Sequence, residues 1–211
     1  MPDEFEQARH RMVDAQLAAR DITDVRVLDA MRRVPRHEFV DTADAIAAYG
    51  DSPLPIGYGA TISQPYIVAF MAQALRLGPT DRVLDVGTGS GYAAAVLAEL
   101  AAHVTTIECI QPLAARAAAV LAGYGERVDV VHGDGSMGHA PGAPYDAIGV
   151  AAAGPEVPPA LVDQLAPGGR LVMPVGRRGQ DLVRVTRTPD GDVTETLLAV
   201  RFVPLTGRYG V

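Results

Sequence analysis

The run Val83-Leu84-Asp85-Val86-Gly87-Thr88-Gly89-Ser90-Gly91 has the residue types and spacing of a ligand cradle. Apolar residues suited to a buried strand lead into glycines spaced G-x-G-x-G, and a helical run begins at Tyr92. Glycine lets the backbone turn tightly and approach a ligand with no Cβ in the way. A dinucleotide pyrophosphate is served by G-x-G-x-x-G. Here position 92 is tyrosine, and Asp85, two places before Gly87, would repel a pyrophosphate. A carboxylate there suits an ammonium, held directly or through water.

Two more acidic residues follow at strand ends. Glu108 lies about 20 residues beyond Gly87, where a Rossmann-like fold places the carboxylate that accepts hydrogen bonds from ribose hydroxyls. Asp134, in His132-Gly133-Asp134-Gly135, suits the amino group of an adenine, and its flanking glycines permit close approach. Each residue alone reads equally well as a solvated strand end or a plain turn. Three consecutive strand ends meeting at the carboxyl edge of one sheet specify an adenosyl ligand. S-adenosylmethionine, whose methionine tail carries an ammonium, satisfies all three.

The elements that must position these residues fall into two regimes. Residues 1–78 read as helical and irregular: helices near Phe5–Ala19, Asp24–Arg33 and Gln64–Leu75, with a Gly/Pro-rich loop over Asp51–Thr61. Thr23 or Asp24 is the expected cap of the second helix. Ser63 stands at the start of the third, and Pro65 in its first turn. From residue 79 on, β-branched runs alternate with helical ones, the signature of a parallel α/β sheet. The expected strands are Arg82–Val86, Val104–Glu108, Val128–His132, Ala147–Ala151, Arg170–Pro174, Leu182–Thr186 and Val193–Phe202. The expected helices between them are Tyr92–Leu100, Pro112–Ala122 and Pro158–Leu165. Right-handed crossovers make this a doubly wound, mostly parallel sheet of about seven strands. The order of the last two is left open. Residues 1–78 are expected to pack on a 79–211 core as one structural domain.

Composition narrows the class. The 211 residues are 48% hydrophobic and 20% charged, ordinary for a globular chain large enough for one α/β core. No apolar run reaches the roughly 18–20 residues of a membrane span, and the charged N-terminus does not read as a signal peptide. A net charge of −7 without a basic block argues against a nucleic-acid partner. The single cysteine, Cys109, cannot form an internal disulfide, so a reducing cytoplasm is the expected compartment. The absence of a heptad pattern makes a monomer the expectation.

Beyond the cradle, the segments LPIGYGATISQPYIVAFM (54–71), HGDG (132–135), PGGRLVMPVG (167–176) and RFVPLTG (201–207) carry a resemblance. Together with VLDVGTGSGY (83–92) and the helical stretch 12–40, they make the chain resemble the protein-L-isoaspartate (D-aspartate) O-methyltransferase family over residues 9–209. The glycine motif is common to many methyltransferases, whereas ATISQP is far more particular. The resemblance implies the Rossmann-like fold of class I methyltransferases, S-adenosyl-L-methionine as cofactor and S-adenosyl-L-homocysteine as product. The implied substrates are isoaspartyl residues in damaged proteins and peptides, esterified to start repair through a succinimide. It implies Ser63 as the active-site serine. The implied cofactor contacts are Ala60, Thr61 and Ile62, Glu108 and Cys109, Asp134 and Gly135, and Thr206. With Asp85 and the loop Gly87, Thr88, Gly89, Ser90 and Gly91, these make up the expected cofactor site. The substrate is expected between Pro55–Thr61 and Val203–Thr206. Three positions depart from the family pattern: Ala151-Ala152-Ala153-Gly154-Pro155 lacks the usual threonine and has a glycine where proline is common, and Val68 stands where some animal members place a histidine.

The five histidines show no ligand spacing, and no Ser-His-Asp, Cys-His or metal constellation appears, so no metal is expected. The implied reaction fits that absence. An isoaspartyl carboxylate, with a pKa of roughly 3.5–4, is already an anion at neutral pH and needs no base. Attack on a sulfonium neutralises both charges, which a water-shielded site favours. A peptide-tailoring relative that methylates a defined aspartate would share the cofactor site, and a non-catalytic adenosyl-ligand sensor is the alternative outside the enzymes. A nucleic-acid amino-methyltransferase would carry D/N-P-P-Y/F after the fourth strand, which Ala151–Pro155 does not supply. A catechol-type enzyme would need clustered carboxylates for a metal, and none are found.

Overall fold

The computed structural model describes residues 4–210. Nine strands and six α-helices alternate along the chain: α1 (Glu4–Met12), α2 (Val25–Arg33), β1 (Leu54–Gly57), β2 (Ala60–Ile62), α3 (Pro65–Leu75), β3 (Arg82–Val86), α4 (Tyr92–Ala98), β4 (His103–Glu108), α5 (Gln111–Leu121), β5 (Val128–His132), β6 (Tyr145–Val150), α6 (Pro159–Val162), β7 (Leu165–Val175), β8 (Gln180–Thr188) and β9 (Gly191–Val200). Strands β3–β9 form one sheet in the order β5-β4-β3-β6-β7-β8-β9. The first five pair in parallel, and β8 and β9 add on antiparallel, which settles the order of the last two strands. The Rossmann-like class is therefore the observed one.

Burial explains the sequence pattern. β3, β4 and β6 are buried along nearly their whole length, as interior parallel strands are; β3 and β6 are mainly apolar, whereas β4 buries Thr105, Thr106 and Glu108 as well. β9 closes the antiparallel edge and is largely exposed. On one face, Val83, Val104 and Ala147 pack with residues of α2–α5; on the other, Leu84, Val86 and Ile148 pack with Leu161 of α6 and Leu205 of the C-terminal tail. Because β4 and β5 extend the sheet to one side of β3 and β6 starts the other side, the strand order reverses at β3/β6. The carboxyl ends there open into a crevice, the usual ligand position in open α/β sheets.

Three expectations change. The Asp51–Thr61 loop contains a β-hairpin, with Leu54 opposite Ile62 and Pro55 opposite Thr61. The helix expected over Pro158–Leu165 is the single turn α6, because Leu165 pairs with Tyr145 and starts β7. The helix expected over Phe5–Ala19 is α-helical only to Met12 and continues as a π-helical turn over Val13–Ala18. That wider turn sinks Val13 and Leu17 into the core and lets Gln16 donate to the Tyr49 carbonyl at 3.0 Å. Asp24 caps α2 through the Arg26 N–H.

Candidate active site

The crevice is a cleft of about 490 Å³, within the range of small-molecule sites. Three pieces of chain wall it. The first is the turn between β3 and α4. Gly89 and Gly91 have φ of +53° and +90°, where a Cβ is strained, so the sequence needs glycine to make this bend. The second is the hairpin β1–β2 with Ser63 and Gln64 beyond it. The third is the tail Arg201–Thr206, held against the end of β6: Ala153 N–H donates to the Val203 carbonyl and Leu205 N–H to the Ala153 carbonyl, both at 2.8 Å.

Glu108 is buried at the end of β4. Its Oε2 accepts the Gly89 N–H at 2.8 Å and its Oε1 the Ile110 N–H at 3.0 Å. Oε1 also accepts the Cys109 thiol at 3.6 Å, whereas Oε2 keeps a lone pair for another donor, so the carboxylate clasps the glycine turn and faces the cleft with acceptor capacity on Oε2. Cys109 stands next to it, its Sγ 3.1 Å from Thr206 Oγ1, which ties the tail to β4. Gly135 is buried under the same corner; a Cβ there would lie 2.6 Å from Val86 Cγ1, so the backbone is close to β3 at the cost of any side chain.

Ala60, Thr61, Ile62, Ser63, Gly87, Thr88, Gly89, Ser90, Glu108, Cys109, Gly135 and Thr206 all line this cleft. Asp85, Gly91 and Asp134 stand behind the lining. Gly91 caps α4. Asp134 accepts from Ser136 N–H and Oγ with one oxygen and from the Arg208 N–H with the other. Burial alone would raise its pKa, but these bonds from Ser136 and Arg208 outweigh it and hold the carboxyl below its ordinary value.

Asp85 is buried and accepts from Thr106 Oγ1 at 2.7 Å; Thr106 in turn meets Thr88 Oγ1 at 2.6 Å. Burial pushes the Asp85 carboxyl up to about 7, against the Thr106 hydrogen bond and with help from the Glu108 charge. The folded chain then keeps a proton that the unfolded chain releases near pH 4, so stability falls as pH rises from about 4 to 7 and levels off above that. Asp85→Asn should remove this dependence. Its melting temperature relative to the native protein should climb between pH 5 and 8, by an amount equivalent to at most about 4 kcal/mol. A pH-independent offset between the two melting curves would show that Asp85 stays ionised.

Ser63 is half-buried and lines the cleft, and its hydroxyl has no hydrogen-bond partner among the described residues. It is not the helix cap: Gln64 holds that position, and makes no side-chain cap bond. Capping comes from a distance. Asp51 accepts from the Tyr66 N–H in the first turn of α3 at 3.4 Å, from Gln64 Nε2 at 2.8 Å and from Arg20 Nη1 at 3.1 Å. Arg20 also lies 3.4 Å above the Tyr66 ring. The bend that presents Ser63 is thus fixed from the N-terminal segment. Sequence reading passed over Asp51, whose only local signal is an acidic residue in the DSPLP stretch. It also passed over Arg201, the one cationic residue in the lining. Among the described residues, no group of three or more His, Cys, Asp or Glu could hold a metal.

Comparison with known proteins agrees with this geometry. The family model described as protein-L-isoaspartate(D-aspartate) O-methyltransferase matches residues 7–210. Protein-L-isoaspartate O-methyltransferase 1 of Rhodopseudomonas palustris (strain HaA2) is 59% identical over 98% of this chain and 86% of its own. The protein-L-isoaspartate O-methyltransferase of Methanoregula boonei is 54% identical over 96% of this chain and 94% of its own. A crystal structure of a protein-L-isoaspartate O-methyltransferase from Plasmodium falciparum, in complex with S-adenosyl-L-homocysteine, superposes with a TM-score of 0.81 at 26% identity, covering 94% of this chain and 98% of that one. With a matched model spanning nearly its whole length and relatives above half identity, the chain belongs to the protein-L-isoaspartate (D-aspartate) O-methyltransferase family.

Proposed function

We propose that this chain transfers a methyl group from S-adenosylmethionine to the free carboxylate of L-isoaspartyl residues in damaged proteins and peptides. The observation that carries the reading is the unpartnered Ser63 hydroxyl in the same cleft as the Glu108-clasped glycine turn.

The residues present fit the cofactor. The glycine turn offers backbone that a ligand can approach closely, Glu108 offers acceptor capacity on Oε2, and Gly135 lets the neighbouring corner lie directly against Val86. When bound, S-adenosylmethionine supplies an electrophilic methyl group whose bonding pair remains on sulfur, leaving S-adenosylhomocysteine. Glu108 would hold the ribose, and the turn Gly87–Gly91 the methionine part. Ser63 would donate to one oxygen of the substrate carboxylate and so aim the other at the methyl group. Ile62, Val68, Val203 and Leu205 of the lining shed water from the path. No proton moves in the transfer, so the chain needs to supply only orientation and dryness. Orientation alone is worth on the order of 7–11 kcal/mol in favourable cases. Methoxide leaves an ester carbonyl far more readily than oxide leaves a carboxylate, so the following backbone nitrogen closes on that carbonyl outside the enzyme, releasing methanol and forming the succinimide.

No helix among the described residues is long and apolar enough to cross a membrane. We propose a cytoplasmic monomer, a reading supported by the acidic balance and the lone free cysteine.

The test is methyl transfer from labelled S-adenosylmethionine to two matched peptides, one with isoaspartate and one with aspartate. Base-labile label, released as methanol, should appear on the isoaspartyl peptide alone. Label on neither peptide, with S-adenosylhomocysteine binding intact, would shift the assignment to the peptide-tailoring relative or to the sensor.

A further inference from the structure

The substrate proposed above is an anion, yet the protein carries a net charge of −7. Among the described residues, two charged ones line the cleft: Glu108, already committed to the cofactor end, and Arg201. Arg201 is exposed, and no hydrogen bond or ion pair engages it among the described residues. Its backbone neighbourhood is fixed. Gln180 grips Phe202 from both sides, donating to its carbonyl at 3.2 Å and accepting its N–H at 2.6 Å.

The same pairing places two more cations nearby. Gln180 is opposite Val200 at the start of β8, so the turn Gly176–Gly179 between β7 and β8 sits at the same edge as Arg201. That turn contains Arg177 and Arg178, both exposed and both without an ion pair among the described residues. Gly176 N–H donates to the Gly154 carbonyl, while Ala153 pairs with Pro204 of the tail, so turn and tail flank one short segment at the carboxyl edge. The carboxylates at this edge are Asp181 and Glu156, both exposed. With Glu108 set apart at the cofactor end of the cleft, three arginines stand beside two acids, which leaves this rim locally positive on an acidic protein. At physiological ionic strength charges farther than about 8 Å are screened, so the rim, rather than the net charge, governs what arrives at the cleft.

We propose that Arg201, with Arg177 and Arg178 beside it, forms a cationic rim that binds acidic residues flanking the isoaspartyl site, and so determines which damaged segments are methylated first. This rests on the methyltransferase reading above and adds a flank preference to it. The rim acts on binding of the polypeptide on either side of the reacting residue, and the arginines take no part in the chemistry.

The experiment compares three isoaspartyl peptides that differ only in their flanks: paired glutamates, paired glutamines or paired lysines. The native protein should show the highest kcat/KM on the glutamate peptide, roughly fivefold above the lysine peptide, carried by KM and shrinking with added salt. Arg201→Gln should level the three peptides, and Arg201→Lys should restore part of the spread. The double change Arg177→Gln with Arg178→Gln, on an exposed turn, should reduce the spread without shifting the melting temperature. Equal kcat/KM for the three peptides with the native protein would overturn the rim, as would a preference that survives both the Arg201→Gln and the double variant. Failure of the native protein to methylate any of the three would overturn the methyltransferase reading itself.

Discussion

Ser63→Ala should cost turnover on the order of 100-fold while leaving the affinity for S-adenosylhomocysteine within about twofold of native. The reason lies in where the hydroxyl stands. It has no partner within the protein among the described residues, so its removal breaks no internal bond and leaves no buried group unsatisfied. The bend that carries it is held by Asp51 through Gln64 and the Tyr66 N–H, not by Ser63, so the backbone stays in place. What is lost is one donor aimed at an anion whose two oxygens must be told apart. Preorganised donors of that kind are worth about 10²–10³ in rate. Ser63→Thr keeps the hydroxyl on a stiffer side chain and should recover part of the rate. Single-turnover methylation with pre-bound cofactor, beside calorimetry with S-adenosylhomocysteine, separates the two quantities. A parallel fall in both would mean that Ser63 holds the cofactor and does not orient the substrate.

The parts of this site that could be read from the sequence are those built within one stretch of chain. β3, its glycine turn and α4 are contiguous, and the apolar run, the positive-φ glycines and the helix leave their mark side by side. Glu108 was findable for the same reason, since the end of β4 is fixed by the strand before it. The hairpin β1–β2 was not. Its strands have four and three residues, carry Pro55 and surround a run of glycines, so local chemistry reads as loop; only the pairing of Leu54 with Ile62 makes them strands. The π-turn at Val13–Ala18 contains neither proline nor glycine and is decided by burial of Val13 and Leu17. α6 ends early because Leu165 is claimed by Tyr145 across the sheet.

The same division holds for function. Asp51 reaches α3 from fifteen residues away, and Arg201 comes to the same edge as Arg177 and Arg178 through the β8–β9 pairing and the Gly154 and Ala153 contacts. Neither relation has a local trace. The reacting end of the cleft is therefore legible as motif, while the features that stiffen it and select its substrates are products of topology.

Glu108→Ala should weaken S-adenosylhomocysteine binding by roughly 30- to 100-fold, the largest loss of affinity expected from any single side chain in the cleft. Two effects add. Charge-assisted bonds from ribose hydroxyls to a buried carboxylate are worth about 1.5–3 kcal/mol each. The same carboxylate accepts the Gly89 and Ile110 N–H groups, so its loss also loosens the glycine turn on which the methionine part would lie. Glu108→Gln retains one acceptor oxygen and should lose about tenfold. The two effects can be told apart with a 2′-deoxy analogue of S-adenosylhomocysteine. If Glu108 reads the ribose, the native protein should bind the analogue weakly, and Glu108→Ala should bind it no worse than it binds the parent compound, because the lost partners are the same pair. If Glu108 only braces the turn, the two losses will add. Affinity by calorimetry decides between them, with melting temperatures of the unliganded proteins measured alongside to show that both variants are folded.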